Sequence, residues 1–508
     1  MNRRSFLRVT AMGAAGLMPP RWARAQDPAA KTPNIVLILA DDLGYNDLSC
    51  QGAVKVGTPG IDRIAREGVR FTDAHTPAAL CCPTRYGVLT GRYPWRKDQT
   101  CWASPGAALL IEPGRMTIAS LLKEAGYTTG CVGKWHLGFG IKEHPVDWNG
   151  ELKPGPLEVG FDYFFGDVSN RWGVYVENHA IPASNPNDPI RFENRKRVSG
   201  DSAFTMKHEE NARVLHEKAT AFIEQNRTKP FFLYYAPNNI HVPLTPNPRF
   251  VGSSQCGKYG DFIRELDWTV GEVLATLDRL GLTQNTLVIF TSDNGGHYDR
   301  DALIAGHRCN APLNGQKGDV WEGGSRVPFL ARWPGRIPAG TQSNRLLCLT
   351  DMLATFASLM GRKLPDDAGP DSYNALPLIL GQPATADART NLIMQSSAAS
   401  IAIKKRIGPD DLWAVREENW KLVLGQKAGY TTRAEHKKGA CGFKELGLAN
   451  SDFTADGKLK PDAPPEQLYD LAADPGETRN LYRERPDIVE RLTKLFERLR
   501  DAGRSRTP

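Results

Sequence analysis

Four short apolar runs between residues 33 and 292 constrain the fold of this chain more than any other feature. Each has the length of a strand buried on both faces and is rich in β-branched or aromatic side chains. The runs are Ile35–Ala40, Tyr127–Val132, Phe231–Ala236 and Leu287–Ser292. Helical patterns lie between them, at 59–67, 115–125, 206–226 and 260–280. Strands that alternate with helices predict an α/β fold with a largely parallel sheet.

Polar side chains follow each of these runs where the strand is predicted to end. In chain order they are Asp41, Asp42, Lys134, His136, His241, Asp293 and Asn294. Ligands of open α/β sheets bind outside the carboxyl ends of the strands, so we expect these side chains at one sheet edge. Either acidic pair alone would more readily cap a helix or form a turn. Two such pairs at one edge instead favour Ca²⁺ or Mg²⁺ over zinc, because these ions prefer oxygen ligands.

The composition is that of a globular protein, with 41% hydrophobic and 24% charged residues, which excludes a collagen-like or disordered chain. Most of the net charge of +7 comes from arginines within residues 1–25, which contain no acidic residue. The remainder is close to neutral, so no nucleic acid partner is expected. Beyond residue 25, no apolar run approaches the roughly 18–20 residues that cross a bilayer, and the mature protein is expected to have no membrane span.

Residues 1–25 have the pattern of an export signal. Arg3 and Arg4 precede a weakly apolar stretch, Val9–Met18, and small residues lead to a cleavage point after Ala25. The paired arginines resemble the twin-arginine signal, which exports folded bacterial proteins. We therefore expect recognition by the twin-arginine export machinery and a periplasmic or secreted protein. The alternative is a basic amphipathic helix of the mature fold.

The character of the sequence changes near residue 385. Short strand candidates follow at Leu412–Val415, Lys421–Leu424 and Gln467–Leu471, and a helical pattern covers 485–502. These elements predict a small C-terminal α+β unit. We therefore divide the chain into a signal peptide (1–25), a catalytic domain (26–385) and a C-terminal subdomain (386–508). The stretch 143–205, rich in Pro, Asn and Gly, is expected to form loops over the site.

The segment Cys81-Cys82-Pro83-Thr84-Arg85 carries the most specific chemistry. A proline suits the first turn of a helix, so Cys81 is expected at a helix N-terminus with Arg85 one turn along. A helix N-terminus and a guanidinium together favour a tetrahedral oxyanion. From these residues alone, a thiolate nucleophile or a plain buried cysteine remains open.

The same segment and the following Thr90-Gly91-Arg92 resemble the Cys-x-Pro-Ser/Thr/Ala-Arg…Thr-Gly-Arg motif of type I sulfatases. This family belongs to the alkaline phosphatase superfamily and includes arylsulfatases and N-acetylgalactosamine-6-sulfatases. Further matches, in order, are Asn34–Gly44, Gly133–Gly138, Thr291–Gly296, Trp321–Pro334 and Leu468–Leu481. The resemblance implies an alkaline-phosphatase-like sandwich with a mixed central sheet and a short antiparallel C-terminal sheet. It also implies hydrolysis of sulfate esters to an alcohol and inorganic sulfate.

In that family the residue that matches Cys81 is converted to Cα-formylglycine (3-oxoalanine) before folding. The resemblance implies a maturation partner, either a formylglycine-generating enzyme or an anaerobic sulfatase-maturating enzyme. It also implies that residue 81 acts as a hydrated aldehyde. One hydroxyl attacks sulfur as the alcohol leaves, and the second then loses its proton so that sulfate is eliminated and the aldehyde returns.

The resemblance also assigns roles to the polar residues. The resemblance implies one divalent cation, with Ca²⁺ as the first choice of ion and Mg²⁺ as the second. Its implied ligands are Asp41, Asp42, Cys81, Asp293 and Asn294. The implied catalytic residues are Cys81, Arg85, Lys134, His136, His241 and Lys317. The arginine and lysines would neutralise sulfate oxygens. His136 would contact the formylglycine hydroxyls, and His241 would protonate the leaving alcohol.

Two alternatives to a sulfatase remain open from the sequence. A phosphoester or phosphonate hydrolase needs a similar site, although a phosphate site usually holds two metals and this chain offers ligands for one. A sulfated-glycan binding protein without activity is the other. Carbohydrate sulfate is the first choice of substrate and aryl sulfate the second. Candidate sugar contacts, which ordinary packing would explain equally well, are Trp95, Arg96, Trp102, Trp148, Arg171 and Trp172.

Overall fold

The computed structural model describes most of the chain from residue 32 onward. The described ranges are 32–97, 107–143, 146–168, 175–181, 191–193, 196–199, 208–396, 412–429, 431–432 and 442–507. Residues 1–25 and the candidate sugar contacts Trp102, Arg171 and Trp172 lie outside these ranges. The export signal, its cleavage and the periplasmic location therefore stay predictions.

Strands and helices alternate through the first half of the chain, as the apolar runs predict. The strands are β1 Asn34–Ala40, β2 Val69–Phe71, β3 Ala74–His75, β4 Thr128–Gly133, β5 Tyr163–Asp167, β6 Tyr175–Glu177, β7 Arg191–Glu193, β8 Lys196–Ser199, β9 Phe231–Ala236, β10 Thr286–Ser292, β11 Phe329–Arg332, β12 Thr341–Ser343, β13 Leu347–Cys348, β14 Asn391–Gln395, β15 Trp413–Glu417, β16 Trp420–Leu424 and β17 Gln467–Asp470. The helices are α1 Pro59–Arg66, α2 Cys81–Thr90, α3 Ile118–Glu124, α4 Asn211–Gln225, α5 Gly257–Arg279, α6 Arg300–Ile304, α7 Glu322–Ser325, α8 Met352–Leu359, α9 Leu376–Ile379 and α10 Pro486–Asp501.

The central sheet has nine strands in the order β12-β2-β11-β10-β1-β9-β4-β5-β6. The five strands β10, β1, β9, β4 and β5 pair in parallel, whereas β11 and β6 run antiparallel to their inner neighbours. This mixed, mostly parallel sheet confirms the predicted α/β fold. The predicted loops of 143–205 are wrong in part, because β5 and β6 extend the sheet there.

The uninterrupted apolar sequence of β1 is explained by helices on both faces of the sheet. Ile35, Leu37 and Leu39 pack into one core, which includes residues of α2, α3 and α8. The alternate side chains, such as Val36 and Ile38, pack into a second core with residues of α1, α4 and α5. Successive side chains of a strand point to opposite faces, so a strand covered on both sides needs apolar residues throughout.

A four-stranded antiparallel sheet, β14-β15-β16-β17, follows the central sheet in the chain. Helix α10 covers one face through apolar residues at helical spacing, including Leu492, Leu495 and Leu499, which pack against Val415 and Leu422. This sheet and helix confirm the C-terminal α+β arrangement, while the boundary between 385 and 386 stays a prediction. Within the described residues, no helix is both long and apolar enough to cross a membrane.

Candidate active site

The carboxyl ends of the central parallel strands place the predicted carboxylates side by side. In the pairing of β1 with β10, Ala40 lies opposite Ser292, so Asp41-Asp42 and Asp293-Asn294 leave the sheet at neighbouring points. The backbone N–H of Asp42 donates to Oδ1 of Asp293 at 3.2 Å. All four side chains are buried. The sequence prediction of one cluster at one sheet edge is thus met by the geometry.

Helix α2 delivers Cys81 and Arg85 to this cluster. The helix begins at Cys81 with Pro83 in its first turn, as predicted. The Arg85 guanidinium is buried and donates to Oδ2 of Asp293 at 2.7 and 3.1 Å and to the carbonyl of Lys134 at 3.0 Å. Sγ of Cys81 lies 3.4 Å from Nδ1 of His136. The helix start therefore lies against both the carboxylates and the end of β4.

The turn after β4 brings Lys134 and His136 into the site. Nζ of Lys134 donates to both carboxylate oxygens of Asp41, at 2.7 and 3.0 Å. His136 adopts a positive φ of 56°, and Asp42 has a φ of 62°. Non-glycine residues seldom adopt this left-handed conformation, and such strain tends to occur at functional sites. In both His136 and Asp42, the left-handed backbone conformation occurs where the side chain faces the cluster.

Lys317 and His241 complete the group on the side of Asp42. Nζ of Lys317 donates to Oδ2 of Asp42 at 2.7 Å. Nε2 of His241 lies 3.7 Å from the same oxygen, and its Nδ1 lies 2.6 Å from the carbonyl oxygen of Val242. An Nδ1–H that donates to this carbonyl would leave Nε2 facing the site. The structure thus brings together every residue that the sequence analysis placed in the site.

The buried charges set the protonation states of the site. Burial alone would raise the pKa of Asp41, but the cations Lys134, Arg85 and Lys317 and the neighbouring His241 together hold it well below its ordinary value. The pKa of Asp42 is lowered in the same way, mainly by Lys317. Both carboxylates are therefore ionised at neutral pH.

The two histidines respond in the opposite direction to the same surroundings. Burial, followed by the positive charges of Lys134 and Arg85, lowers the pKa of His136 well below its ordinary value. Burial and Lys317 lower the pKa of His241 to about 4. Both rings are therefore neutral near pH 7 and each offers one nitrogen that can accept a proton.

The donor set fits a hard divalent cation. Ligand atoms of Asp41, Cys81 and Asp293 lie within 4.8 Å of one another. Oδ1 of Asn294 is buried and has no hydrogen-bond partner among the described residues, a state that is costly unless a ligand is bound. Carboxylate and amide oxygens are the atoms that Ca²⁺ and Mg²⁺ prefer. The residues that would hold such an ion are Asp41, Asp42, Asp293, Asn294 and residue 81.

The sequence analysis missed the residues that fix the loop before His241. The backbone of Asp41 donates to the carbonyl of Asn239 at 3.0 Å and accepts from Ile240 at 2.7 Å. The Asn239 side chain donates to Glu265 of α5 at 3.2 Å, and burial raises the pKa of Glu265 to about 8. Glu265 could have been identified from the sequence, because it is a charged residue within the apolar face of α5.

Three of the candidate sugar contacts are packed into the fold instead. Trp95 and Trp148 are buried, and the Arg96 guanidinium stacks on Trp95 at 4.2 Å while it pairs with Asp371 at 2.8 Å. Trp148 packs against the ring of Phe139. Ordinary packing, the alternative given above, therefore explains these residues.

Comparison with known proteins identifies the family of this chain. The family profile described as Sulfatase matches residues 33–362. An N-acetylgalactosamine-6-O-sulfatase of Bacteroides thetaiotaomicron is 37% identical over 92% of this chain and 93% of its own length. Human arylsulfatase A is 34% identical, over 92% and 87% respectively. A sulfatase structure from work on glycosaminoglycan metabolism by Bacteroides thetaiotaomicron has a TM-score of 0.79 at 36% identity and covers 92% of this chain and 99% of its own.

The fold is that of the alkaline phosphatase superfamily. Within it, this chain belongs to the sulfatase family, and it is a hydrolase of sulfate esters.

Proposed function

We propose that this sulfatase removes sulfate from carbohydrates, and that its preferred substrate is 6-O-sulfated N-acetylgalactosamine. It would use a formylglycine at position 81 and one divalent cation, for which Ca²⁺ is the first candidate and Mg²⁺ the second. The observation that carries the proposal is the position of Cys81. It lies at the start of α2, 3.4 Å from His136 and within 4.8 Å of carboxylate oxygens of the buried Asp41 and Asp293. The similarity to an N-acetylgalactosamine-6-O-sulfatase over most of both chains supports the choice of sugar.

Residue 81 would supply the nucleophile. When formed, a hydrated formylglycine offers one hydroxyl to attack sulfur and a second whose deprotonation expels sulfate. His136 is suited to help, because its ring is neutral near pH 7 and Nδ1 faces residue 81. The ring nitrogen would accept a proton from a hydroxyl at that position. The thiol of an unmodified Cys81 offers no such elimination.

The cations around the carboxylates would bind the sulfate group. Arg85, Lys134 and Lys317 are buried and charged, and each contacts one of the three carboxylates at 2.6–3.1 Å. When bound, a divalent ion held by the carboxylates would polarise the sulfate oxygens as a Lewis acid. The amines and the guanidinium would then donate to sulfate oxygens as negative charge develops on them.

His241 would act on the leaving alcohol. Its Nε2 faces the site beside Asp42, while its Nδ1 lies against the Val242 carbonyl. The ring is neutral near pH 7, so it must take up a proton before it can donate one to an alkoxide. An anionic sulfate ester beside the ring would favour that uptake, because a nearby negative charge raises the pKa of a histidine.

The burial of Cys81 has a consequence for maturation. Its side chain is only 3% exposed, so a formylglycine-generating or anaerobic sulfatase-maturating enzyme would have to reach it before the chain folds. A twin-arginine signal at residues 1–25 would then export the folded, modified protein to the periplasm, or beyond the cell. This order of events agrees with the export of folded proteins by that route.

Release of inorganic sulfate by the full chain tests the proposal. The protein is produced with a maturation enzyme and assayed on 6-sulfated N-acetylgalactosamine, 4-nitrophenyl sulfate and a phenyl phosphonate monoester, with Ca²⁺ or with EDTA. We expect sulfate release from the sugar, its loss with EDTA, and none from the variant Cys81→Ala. Faster cleavage of the phosphonate than of either sulfate ester would favour the phosphonate hydrolase alternative.

A further inference from the structure

A pocket beside Asp42 has no role in the chemistry described above. It opens on the side of the site where His241 lies, because Ile240 and Val242, the two neighbours of His241, form part of its wall. The pocket takes aliphatic side chains from the loop around His241, and its other lining residues are mostly polar or aromatic. Its remaining lining residues are Leu244, Tyr259, His297, Tyr298, Asp299, Arg300 and Asp301. The leaving alcohol would depart into this space if His241 protonates it.

The aliphatic wall is unusual because part of it faces solvent. Val242 is 49% exposed, whereas its neighbour Ile240 is 2% exposed. The loop that carries both is held to the end of β1 by the backbone hydrogen bonds of Asp41 with Asn239 and Ile240. A fixed, exposed apolar side chain at the rim of a polar site suits the C–H face of a pyranose ring.

The polar wall of the pocket presents hydrogen-bonding groups on the short segment 297–301. Oδ1 of Asp299 accepts from the N–H of Ala302 at the start of α6, which leaves its other oxygen available. Arg300 is exposed, and among the described residues its side chain has no hydrogen bond or ion pair. The segment begins at His297, shortly after Asn294, and the backbone N–H of Lys317 donates to the carbonyl of Gly296, which precedes it, at 3.1 Å.

Carboxylates and a guanidinium side by side match the hydroxyls of a sugar. A carboxylate only accepts and a guanidinium only donates, whereas each hydroxyl can do both. Asp299 and Asp301 outnumber Arg300, so this wall disfavours an additional sulfate or carboxylate on the sugar. The chemistry therefore favours a neutral pyranose with free hydroxyls.

We propose that this pocket is the subsite for the pyranose ring that bears the sulfate ester, and that Arg300 and Asp301 determine specificity by binding its free hydroxyls. Val242 contacts the apolar face of the ring. The inference rests on the proposed function, since it takes the substrate to be a carbohydrate sulfate.

Substitutions at the polar wall separate sugar recognition from sulfate chemistry. The variants are Arg300→Ala and Asp301→Asn, with Arg336→Ala as an exposed control outside the pocket. Arg300→Ala removes hydrogen bonds from a charged group to the sugar, so kcat/KM for 6-sulfated N-acetylgalactosamine should fall about 10- to 100-fold. For 4-nitrophenyl sulfate, which has no ring hydroxyls, it should stay within about twofold of the parent, as for a surface substitution.

A second measurement does not need turnover of the sugar. Free N-acetylgalactosamine should competitively inhibit hydrolysis of 4-nitrophenyl sulfate, and its inhibition constant should rise about 10-fold or more in Arg300→Ala and stay unchanged in Arg336→Ala. Equal losses on both substrates, or no loss on the sugar, would overturn the subsite and leave the carbohydrate sulfatase assignment intact. A parent enzyme that cleaves only the aryl ester and is not inhibited by the sugar would overturn both.

Discussion

A buried lysine joins the C-terminal sheet to the catalytic part of the chain and allows a quantitative test of the fold. Lys421 lies on β16, and its Nζ is 2.9 Å from Glu322 at the start of α7 and 2.8 Å from Glu477. All three side chains are fully buried. Glu322 is also paired with Arg326 at 2.6 Å and with His75 at 2.9 Å.

The variant Lys421→Met leaves two carboxylates buried without their shared cation. Removing one partner of a buried ion pair destabilises a protein by about 3–5 kcal/mol, and we expect a loss of this size in the free energy of unfolding. Arg326 still compensates Glu322. Glu477 loses Lys421, the cation that most lowers its pKa, so in the variant it should hold a proton to higher pH.

The pH dependence follows from this proton. Burial, with the neighbouring Glu322, raises the pKa of Glu477 to about 7 in the parent, and the loss of Lys421 raises it further. Below pH 7 both folded proteins hold the proton, so the difference between them is constant. Above pH 7 the folded variant binds one more proton, and its stability falls relative to the parent by about 1.4 kcal/mol per pH unit. Between pH 6.5 and 8.5 the destabilisation should therefore grow by about 2 kcal/mol.

Urea unfolding followed by tryptophan fluorescence at both pH values provides the measurement. Lys458→Met serves as the control, because that side chain is 81% exposed and its loss should cost less than about 0.5 kcal/mol at either pH. The double variant Lys421→Met/Glu477→Gln should lose the extra pH dependence. A destabilisation by Lys421→Met that is below about 1 kcal/mol, or equal at both pH values, would refute the assignment of a buried, titrating pair.

In active protein from the native host, the peptide that contains residue 81 should be about 18 Da lighter than the cysteine form; finding only alkylatable Cys81 there would exclude the formylglycine. The variants Asp42→Ala and Asp293→Ala should lose bound divalent cation and turnover together, as measured by metal analysis and sulfate release, and full metal content in both would contradict their role as ligands. His241→Ala should lower kcat/KM by roughly 10²–10⁴-fold for sugar sulfates and clearly less for aryl sulfates, because a phenolate leaves without a proton. Lys317→Ala should affect both substrates equally, and equal losses in His241→Ala would make it another sulfate contact.

The central strands and the site were predictable because their signals are local. The run Ile35–Ala40 is apolar at every position, which is the mark of a strand covered on both faces, and the structure covers it on both. Parallel strands end at a common edge, so the residues after each strand had to meet once the strands were identified. Asp41 and Asp293 could therefore be paired without a long-range contact map.

The short strands at or next to the edges of the central sheet could not be found in the same way. β2, β6 and β12 are three residues each, which is too short for an alternating pattern to differ from a loop. β2 gains its place from its pairing with β11, more than 250 residues away in sequence. The role of Lys421 also depends on contacts that are distant in sequence. From the sequence it is an ordinary strand residue, and only the structure shows Glu322 and Glu477 beside it.

The charge balance of the site explains why carboxylates and amines were both needed. In the described structure, Asp41 pairs with Lys134 at 2.7 Å, Asp42 with Lys317 at 2.6 Å and Asp293 with Arg85 at 2.7 Å. These pairs satisfy the folding requirement that buried charges be compensated. The same six groups suit the proposed chemistry, because carboxylates bind a hard cation and the amines and guanidinium bind a sulfate. Carboxylates that suit a cation and basic groups that suit a sulfate therefore also compensate one another within the fold, which is why the site needs both kinds of residue.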